Sequence, residues 1–413
     1  MFRFICVTDI KLCSDFARTV EKLSASRAAA IILREKDLDE KAYCELAAGM
    51  PPGRLIIHDH PETARRLGIK KLHLSWKNFR ELASRGQLDD FDLVGTSIHS
   101  VEDARLAAGL GADYLIFGHV FATACKQGLA PRGTAMLADV CRAVDIDVYA
   151  IGGISESTVA GLAKVGCANF RGACLMSSLM QADDPAGLLE AAEEIYMKEK
   201  LKQCLRLYAI TDRRWLNGRS LKDDVAAALR GGAGMIQLRE KDMPRPDFIR
   251  EAGEIHDLCS ACGVPLIIND DVEVAREIDA EGVHLGPDDM TPDEARKILG
   301  RAKIIGGTAR TLEMALRAQA LGADYLGSGA VFGSDTKSEA TKMDRETLKE
   351  ITASVDIPVV AIGGITSENV MQLQGTGIAG AAVISGIFAA DDIEAAARSL
   401  LQSIRKITGE EEV

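Results

Sequence analysis

The sequence predicts two tandem (β/α)8 TIM barrels of the α/β class, with the first over residues 1–200 and the second over residues 201–413. The first observation is an internal repeat with an offset of 205 to 211 residues. REKD occurs at 34–37 and 239–242, GADY at 111–114 and 322–325, and AIGGI at 150–154 and 361–365. The second observation is that each copy alternates eight short apolar runs with amphipathic segments, as a parallel sheet with crossover helices requires.

The apolar runs follow one another in the same order in both copies. In the second copy they are LRLYAIT (205–211), MIQLRE (235–240), PLIIND (265–270), GVHLG (282–286), KIIGGT (303–308), DYLGSG (324–329), PVVAIGG (358–364) and GAAVISG (380–386). In the first copy they are FICVTD, AAIILRE, RLIIHD, KLHLS, LVGTS, YLIFGH, VYAIGG and RGACLMSS. TPDE at 291–294 combines an N-cap, a proline at the first helical position and an acidic first turn, so it predicts a helix start. The charged stretch 197–204 predicts the linker.

Composition excludes several classes of partner. The net charge of −12 disfavours nucleic acids and anionic membranes, both of which bind basic surfaces. No apolar run reaches the ~18 residues of a membrane span, and the N-terminus lacks the pattern of a signal peptide. The ten cysteines have no framework spacing, which predicts reduced thiols in a cytoplasmic protein, and Cys259 with Cys262 is a weak metal signal without a second pair. The sequence is compatible with a monomer or an oligomer.

In the second copy, almost every predicted strand is followed by polar side chains or by a turn that exposes backbone N–H groups. Chemistry in such barrels is located at the C-terminal ends of the strands, so these residues are expected to share one site. They are Gln237, Arg239 and Lys241 after strand two, Asn269 and Asp270 after strand three, Asp289 after strand four, Thr308 at strand five, Ser334, Thr336 and Lys337 after strand six, Gly364 after strand seven, and Ile384 with Ser385 after strand eight.

The residue types in this set indicate phosphate chemistry. Two carboxylates with oxygen-rich neighbours suit Mg²⁺, which takes one or two protein carboxylates together with water and phosphate oxygens. Arg239, Lys241 and Lys337 are suited to neutralise a diphosphate, and the last two turns are suited to a monophosphate. Each motif alone fits a solvated loop or a helix start, but their succession along one rim favours a site for two phosphorylated groups.

The second copy resembles thiamine-phosphate synthase over residues 205–408, through YAITDR, IQLREKD, IINDDVEVA, GVHLGPDDM, IIGGTARTLEMA, GADYLGSGAVFGSDTK, VVAIGGIT and AVISGIF. That family joins hydroxymethylpyrimidine diphosphate to a hydroxyethylthiazole phosphate and releases pyrophosphate. The resemblance implies that Asp270 and Asp289 bind Mg²⁺ and that Asn269, Arg239, Lys241 and Lys337 hold the diphosphate. It further implies that Gln237 addresses the pyrimidine beside Thr308 and Thr336, and that Gly364, Ile384 and Ser385 hold the thiazole phosphate. Thr308 and Ser334 exchange one hydroxyl residue for another relative to the expected pattern.

The residue set also bears on mechanism. No cysteine, histidine or lysine is placed as an obvious nucleophile, so a covalent enzyme intermediate is not expected. Cations and Mg²⁺ would stabilise the departing diphosphate, and the thiazole nitrogen would attack the resulting pyrimidine-methyl cation.

The first copy keeps only part of this set. Gln237 is replaced by Ile32, Asn269 by His58, and the GPDD loop by SWKN at 75–78, so Asp59 lacks a carboxylate partner at Asn78. Arg34, Lys36, Gly153, Met176 and Ser177 remain, which predicts a monophosphate site without a diphosphate site.

A new motif follows strand six of the first copy, where FGHVFATACKQGLAPRG carries His119. With GTSIHSVEDA and AIGGI, this segment resembles thiazole tautomerase, a family that aromatises a carboxythiazole phosphate tautomer. The resemblance implies that His119 is the acid–base residue, that Gly153, Met176 and Ser177 hold the phosphate, and that Lys126 is a further phosphate ligand.

Two other hypotheses remain open at this stage. In one, the first barrel is a non-catalytic module for phosphate binding or assembly, and His119 is a packed residue. In the other, both barrels act on unrelated sugar phosphates, since this fold supports many reactions. His58 and His60 are a weak metal signal, and His73 and His284 recur in both copies, as scaffold residues would.

Overall fold

The computed structural model describes residues 2–123, 126, 128–333 and 343–409. The chain divides into two compact units, residues 1–200 and residues 201–413. Each unit contains a closed barrel of eight strands that pair in parallel with their neighbours, and the order around each barrel follows the chain. The prediction of two tandem (β/α)8 barrels is therefore confirmed.

Each strand lies within a predicted apolar run or extends one residue beyond it. In the first unit they are β1 (Arg3–Val7), β2 (Ala30–Leu33), β3 (Leu55–His58), β4 (Lys71–Leu74), β5 (Leu93–Ile98), β6 (Tyr114–Gly118), β7 (Asp147–Ile151) and β8 (Phe170–Leu175). In the second unit they are β9 (Leu207–Ile210), β10 (Met235–Leu238), β11 (Leu266–Asn269), β12 (Gly282–Leu285), β13 (Ile304–Ala309), β14 (Tyr325–Gly329), β15 (Val359–Ile362) and β16 (Gly380–Val383).

The helices alternate with these strands. They are α1 (Phe16–Ala25), α2 (Glu40–Ala48), α3 (Pro61–Leu67), α4 (Trp76–Ser84), α5 (Val101–Gly109), α6 (Gly133–Arg142), α7 (Ser177–Met180), α8 (Pro185–Leu205), α9 (Leu221–Arg230), α10 (Arg245–Ala261), α11 (Val272–Glu277), α12 (Pro292–Leu299), α13 (Leu312–Ala320), α14 (Arg345–Ser354), α15 (Ser385–Phe388) and α16 (Ile393–Ile407). The predicted start of α12 is confirmed, because Thr291 and Glu294 form a capping box and Pro292 follows the cap.

Two segments differ from the predicted helical pattern. The connections after β7 and β15 contain short 3₁₀ helices at Val159–Val165 and Val370–Leu373. Each is followed by a glycine with positive φ, Gly166 at 61° and Gly375 at 77°, and a left-handed residue ends a helix. In both barrels a 3₁₀ helix thus takes the place of the crossover α-helix between the seventh and eighth strands.

Alternation along the strands produces two apolar layers in each unit. The interior of the first barrel is filled by residues such as Ile5, Ile32 and Tyr149, and the larger layer packs between the strands and the helices. The second barrel has the same arrangement. Because the interior is packed, ligands can reach only the ends of the barrel, and the carboxyl ends of all eight parallel strands meet at one mouth.

Two minor expectations concern the rest of the chain. The nine cysteines in the part that the structure describes are free thiols, and Cys259 is buried while Cys262 is exposed, so the CxxC pair does not face one site. Among the described residues, no helix has both the length and the apolar character needed to cross a membrane.

Candidate functional site

The mouth of the second barrel contains a cavity of about 310 Å³. Ten residues predicted from the sequence line it: Gln237, Arg239, Lys241, Asn269, Asp270, Asp289, Thr308, Gly364, Ile384 and Ser385. The other three predicted residues, Ser334, Thr336 and Lys337, lie outside the described residues. The cavity is lined by residues from all eight strands or their loops, and the ten predicted residues converge on it from six of them.

The loop after β10 supplies the two cations of the cavity that were predicted. Arg239 is anchored at both ends, because its backbone N–H donates to Thr211 Oγ1 at 3.0 Å and its Nη1 lies 3.3 Å from Asp212 Oδ2. Its side chain is 13% exposed, whereas Lys241 is exposed. A fixed guanidinium and a mobile ammonium together suit an anion whose oxygens are spread over more than one phosphorus atom.

The two candidate metal ligands are held by different local structures. Asp270 has a positive φ of 63°, a left-handed conformation that aspartate tolerates better than most residues, and its N–H donates to His284 O at 2.9 Å. Asp289 Oδ2 accepts from the Gly286 N–H at 2.6 Å. Within the described residues there is no cluster of three or more metal-ligating side chains that could hold an ion by itself. A pair of carboxylates in an open cavity is the arrangement that Mg²⁺ uses when water and phosphate complete its shell.

A chain of hydrogen bonds runs through the interior below the cavity. Gln237 Nε2 donates to Tyr208 Oη at 2.6 Å, and Tyr208 Oη lies 2.7 Å from Tyr325 Oη. His284 continues the chain, because its Nδ1 lies 3.0 Å from Tyr325 Oη and its Nε2 lies 3.0 Å from Thr308 Oγ1. Burial raises the pKa of both tyrosines, so both stay protonated and keep a hydrogen to donate. The chain orients Gln237 and Thr308, whose side chains both face the cavity.

The turns after β15 and β16 bring backbone close to the cavity. Gly363 and Gly364 have φ of 103° and 62°, and a Cβ on Gly363 would lie 2.6 Å from Cβ of Ala330. Only glycine fits such a close approach in this conformation. Ile384 is the N-cap of α15, and Ser385 is its first residue.

Four polar or charged side chains of the cavity were not predicted as site residues: Tyr208, His284, Asp288 and Arg310. Arg310 was predictable from the sequence, because it lies two residues after Thr308, beyond β13. The same two-residue spacing led to the prediction of Arg239 and Lys241. The recurrence of His284 in both copies indicated a scaffold role, and its two hydrogen bonds agree with one, but it also lines the cavity.

The first barrel lacks the carboxylate pair at the same location. Asp59, with φ of 57°, occupies the place of Asp270, and its Oδ1 accepts from Ser75 N at 2.8 Å and Ser75 Oγ at 3.1 Å. The neighbouring His58 is buried, and burial lowers its pKa to about 4, so it is neutral near neutral pH. Ile32 is in the barrel interior in place of Gln237.

His119 lies at the mouth of the first barrel, directly after β6. It is 5% exposed, and a Cβ on Gly152 would lie 2.4 Å from His119 Cβ, so the imidazole is next to the glycine turn after β7. His119 Nε2 lies 3.3 Å from Leu129 O, and its Nδ1 lies 3.4 Å from Arg132 Nη1. Among the first-barrel candidates, His119 is therefore the buried imidazole at the strand ends that adjoins the predicted phosphate turn.

The other first-barrel candidates occupy positions like those of their second-barrel counterparts. The Arg34 N–H donates to Thr8 Oγ1 at 3.0 Å, as Arg239 does to Thr211. Gly153 has a φ of 67°, Met176 is the N-cap of α7 and Ser177 is its first residue. Lys36 and Lys126 are exposed.

Two neighbouring histidines have structural contacts. His60 Nδ1 lies 2.5 Å from Glu40 Oε2, and its ring stacks on Tyr43 at 3.8 Å. His73 is hydrogen-bonded to Tyr114 Oη at 3.1 Å and to Ser97 Oγ at 2.9 Å. No metal-binding cluster includes them in the described part of the chain.

Fold and cavity together define a tandem α/β-barrel protein in which one mouth combines cations with a carboxylate pair and the other carries a buried imidazole. The chain belongs to the thiamine monophosphate synthase family, whose model matches residues 4–179 and again residues 207–387. Both barrels are thus members of one family, and the expected tandem fusion is confirmed.

The curated relatives that match this chain are each about as long as one of its barrels. Thiamine-phosphate synthase 2 of Streptococcus pneumoniae is 44% identical over 206 residues, which cover 50% of this chain and 98% of the relative. Thiamine-phosphate synthase of Fusobacterium nucleatum is 41% identical over 203 residues, covering 49% of this chain and 98% of the relative. A solved structure of thiamine phosphate pyrophosphorylase from Pyrococcus furiosus is 39% identical, covers 50% of this chain and 98% of its own, and has a TM-score of 0.47.

Proposed function

We propose that the second barrel couples hydroxymethylpyrimidine diphosphate to hydroxyethylthiazole phosphate, or its carboxylated form, giving thiamine phosphate and pyrophosphate. The observation that carries this proposal is that one cavity unites Arg239, Lys241, Asp270 and Asp289 with the glycine turn at Gly364. Relatives more than 40% identical bear the name thiamine-phosphate synthase, which supports the same reaction.

In this proposal the cations and the amide of Asn269 hold the diphosphate. Arg239 is fixed by Thr211 and Asp212, so it offers a preorganised donor that needs no reorientation as charge develops on the leaving group. Lys241 and Lys337 add charge from the rim. Arg310 joins the set, because its position in the cavity gives a further guanidinium that sequence reasoning did not include.

Asp270 and Asp289 would hold Mg²⁺. The donor set fits the ion, since both groups are carboxylates in one cavity and neither is supplemented by a cysteine or histidine cluster in the described residues. When bound, Mg²⁺ would neutralise charge on the diphosphate oxygens.

The remaining residues bind and align the two substrates. Gln237 and Thr308, oriented by the buried hydrogen-bond chain, would contact the pyrimidine, and Ser334 and Thr336 would line the same pocket. The turn at Gly364 and the start of α15 at Ile384 and Ser385 would hold the thiazole phosphate. With both substrates in place, departure of pyrophosphate leaves a pyrimidine-methyl cation, and the thiazole nitrogen attacks it without a covalent enzyme intermediate.

Pyrophosphate release tests the coupling reaction. The full chain should release pyrophosphate only when both the pyrimidine diphosphate and the thiazole phosphate are present with Mg²⁺. Release from a sugar phosphate, or release that needs only one of the two substrates, would contradict the proposal.

For the first barrel we propose an isomerase that aromatises the carboxythiazole phosphate tautomer. The observation that carries this proposal is the placement of His119 against Gly152, beside the turn of Gly153 that the two barrels share. The counterparts of Gln237, Asn269 and Asp289 have been replaced, while the residues proposed for a monophosphate remain at Met176 and Ser177. An imidazole next to a phosphate turn can move a proton between two atoms of a ring that the turn holds.

The alternative is a non-catalytic phosphate-binding module, which the buried position of His119 also permits. The two hypotheses differ in what His119 does. The full chain, supplied with the carboxythiazole phosphate tautomer and no pyrimidine, should aromatise it, which ultraviolet absorbance follows. His119→Ala should abolish this turnover without affecting coupling in the second barrel. A folded wild-type chain without turnover would favour the binding module.

A further inference from the structure

The loop after β6 and the loop after β14 contain a backbone hydrogen bond at equivalent positions. In the first barrel the Arg132 N–H donates to His119 O at 3.0 Å, and in the second barrel the Met343 N–H donates to Ala330 O at 2.8 Å. By this shared hydrogen bond, His119 corresponds to Ala330 and Arg132 corresponds to Met343. The first barrel therefore has an imidazole facing a guanidinium where the second barrel has a methyl group and a thioether. The two polar residues occur together in the first barrel and are both absent from the second.

The guanidinium of Arg132 is held between two histidines. Its Nε donates to His99 O at 2.9 Å. The Nδ1 atom of His99 lies 2.8 Å from the carbonyl oxygen of Gly118, which is the residue before His119. The second barrel has Arg310 in place of His99. Arg132 is half-buried, and its Nη1 reaches His119 Nδ1 at 3.4 Å.

These contacts select one tautomer of His119. A guanidinium can only donate, so Nδ1 of His119 must present its lone pair to Arg132. A carbonyl oxygen can only accept, so Nε2, 3.3 Å from Leu129 O, must carry the hydrogen. Both neighbours therefore impose the same neutral form, with the basic lone pair on Nδ1.

The contact between Arg132 and Nδ1 is long, and a guanidinium binds a carboxylate in preference to a neutral nitrogen, because both charges strengthen the bond. A carboxylated ligand in this mouth would thus draw Nη1 away from the imidazole. Arg132 could make this exchange while its Nε stays on His99 O.

We infer that Arg132 is the specificity-determining residue of the first barrel. In the absence of ligand it occupies the Nδ1 lone pair of His119, and it transfers to the carboxylate of a carboxylated thiazole phosphate, which leaves Nδ1 to accept the ring proton. This assignment rests on the proposed isomerase function of the first barrel.

The resulting step is balanced. The ring C–H bond breaks and its proton goes to Nδ1, while the electron pair moves through the ring to the exocyclic double bond. The exocyclic carbon then takes the same proton from Nδ1. No oxidant, reductant or second substrate is required, and His119 returns to the tautomer in which it began.

Nuclear magnetic resonance of the full chain, with its histidine rings labelled with ¹⁵N, tests this assignment in the first barrel alone. The signals of His119 are identified by their loss in His119→Gln, and they report binding there even though the second barrel also takes thiazole phosphates. Without ligand, Nδ1 should be unprotonated and Nε2 protonated. Titration with the aromatic carboxythiazole phosphate and with its decarboxylated counterpart gives the preference for the carboxylate.

Arg132→Met, which installs the residue of the second barrel, should reduce that preference by about 10- to 100-fold, as loss of a hydrogen bond to a charged group does. It should also release His119 into a mixture of tautomers, and Arg132→Lys should recover part of the preference. The buried His73 reports whether each variant folds. An unchanged preference in folded Arg132→Met, or a protonated Nδ1 in the wild type, would overturn the assignment. Failure of the isomerase proposal has a separate signature, namely binding with carboxylate preference but no aromatisation.

Discussion

The backbone at the two barrel mouths makes the same hydrogen bonds, while the side chains differ. After β6, Val120 N–H donates to Ile151 O at 2.9 Å, and after β14, Val331 N–H donates to Ile362 O at 3.0 Å. The next residue of each loop repeats the match, with Phe121 N–H to Gly152 O at 3.0 Å. The loop geometry therefore survives the exchange of His119 for Ala330 and of Arg132 for Met343, so it is the side chains that set the chemistry of each mouth.

The end of strand four illustrates how small a change separates the two mouths. In the first barrel Ser75 donates its N–H and its hydroxyl to Asp59, whereas in the second barrel the equivalent Gly286 donates its N–H to Asp289. Asp59 and Asp289 each accept a backbone N–H, so the two mouths differ in the number of carboxylates: Asp59 corresponds to Asp270, but Asn78 stands where the second barrel has Asp289. This contrast can be tested by substitution.

The largest effect is expected from Asp289→Asn, which places at this position the residue that the first barrel has at Asn78. Coupling should fall by roughly 10²- to 10³-fold, because charge on the departing diphosphate is no longer stabilised through the metal. Steady-state pyrophosphate release over a range of Mg²⁺ concentrations measures this.

Asp288→Asn is the matched control, since Asp288 is the adjacent carboxylate of the same cavity. It should retain most of the activity. Equal losses in the two variants would mean that net charge, and not a specific ligand, accounts for the effect.

A smaller effect is expected from Gln237→Ile, which copies Ile32 of the first barrel. The change removes the donor to Tyr208 at 2.6 Å and an amide of the cavity, so KM for the pyrimidine diphosphate should rise by about 10- to 100-fold. KM for the thiazole phosphate should change little.

Tyr208→Phe separates the two contributions of Gln237, because it keeps the amide but interrupts the buried chain. Its effect on the same KM should be smaller. If Gln237→Ile changed both KM values alike, the amide would not be specific to the pyrimidine.

The shared turns should respond alike in the two barrels. Ser385→Ala and Ser177→Ala each remove one hydroxyl at the start of a short helix, and each should weaken binding of its phosphorylated thiazole by about 5-fold. The measurements are KM for coupling and KM for aromatisation. An effect confined to one barrel would show that only that barrel binds phosphate in this way.

The smallest change concerns stability. The pKa of His58 is lowered by burial from 6.5 to about 4 in the folded chain, so below about pH 6.5 the unfolded chain binds more protons and stability falls. Between about pH 7 and about pH 5, this histidine should cost the first barrel about 2 kcal/mol. His58→Asn, which copies Asn269, should flatten that part of the profile.

The two tryptophans allow this measurement, since Trp76 is in the first unit and Trp215 in the second. In a Trp215→Phe background, fluorescence during urea unfolding reports on the first barrel. An identical pH dependence with and without His58 would assign the titration to another group of the first barrel, such as the buried His73, whose pKa is also lowered by burial.

Much of the second site was predictable from local patterns. The apolar runs marked the strands, and because parallel strands end at one mouth, residues after different strands such as Gln237, Asn269 and Thr308 could be placed together without coordinates. Arg310 was missed although the same alternation applied to it.

The rest could not be read from the order of residues. Tyr208 and Tyr325 share a hydrogen bond across 117 positions of the chain, and only closure of the barrel brings their hydroxyl groups together. Likewise, the tautomer of His119 depends on Leu129 and Arg132, whose direction in space is a property of the folded loop.

Periodicity, repeat and motif predicted the fold and ten of the residues that line the second cavity, because strand alternation and parallel pairing are rules of the backbone that apply at every residue. Hydrogen-bond partners and states of protonation were decided by tertiary structure. They depend on burial and on donors and acceptors from distant parts of the chain, as the hydrogen bonds of Ser75 to Asp59 and of Gln237 to Tyr208 show.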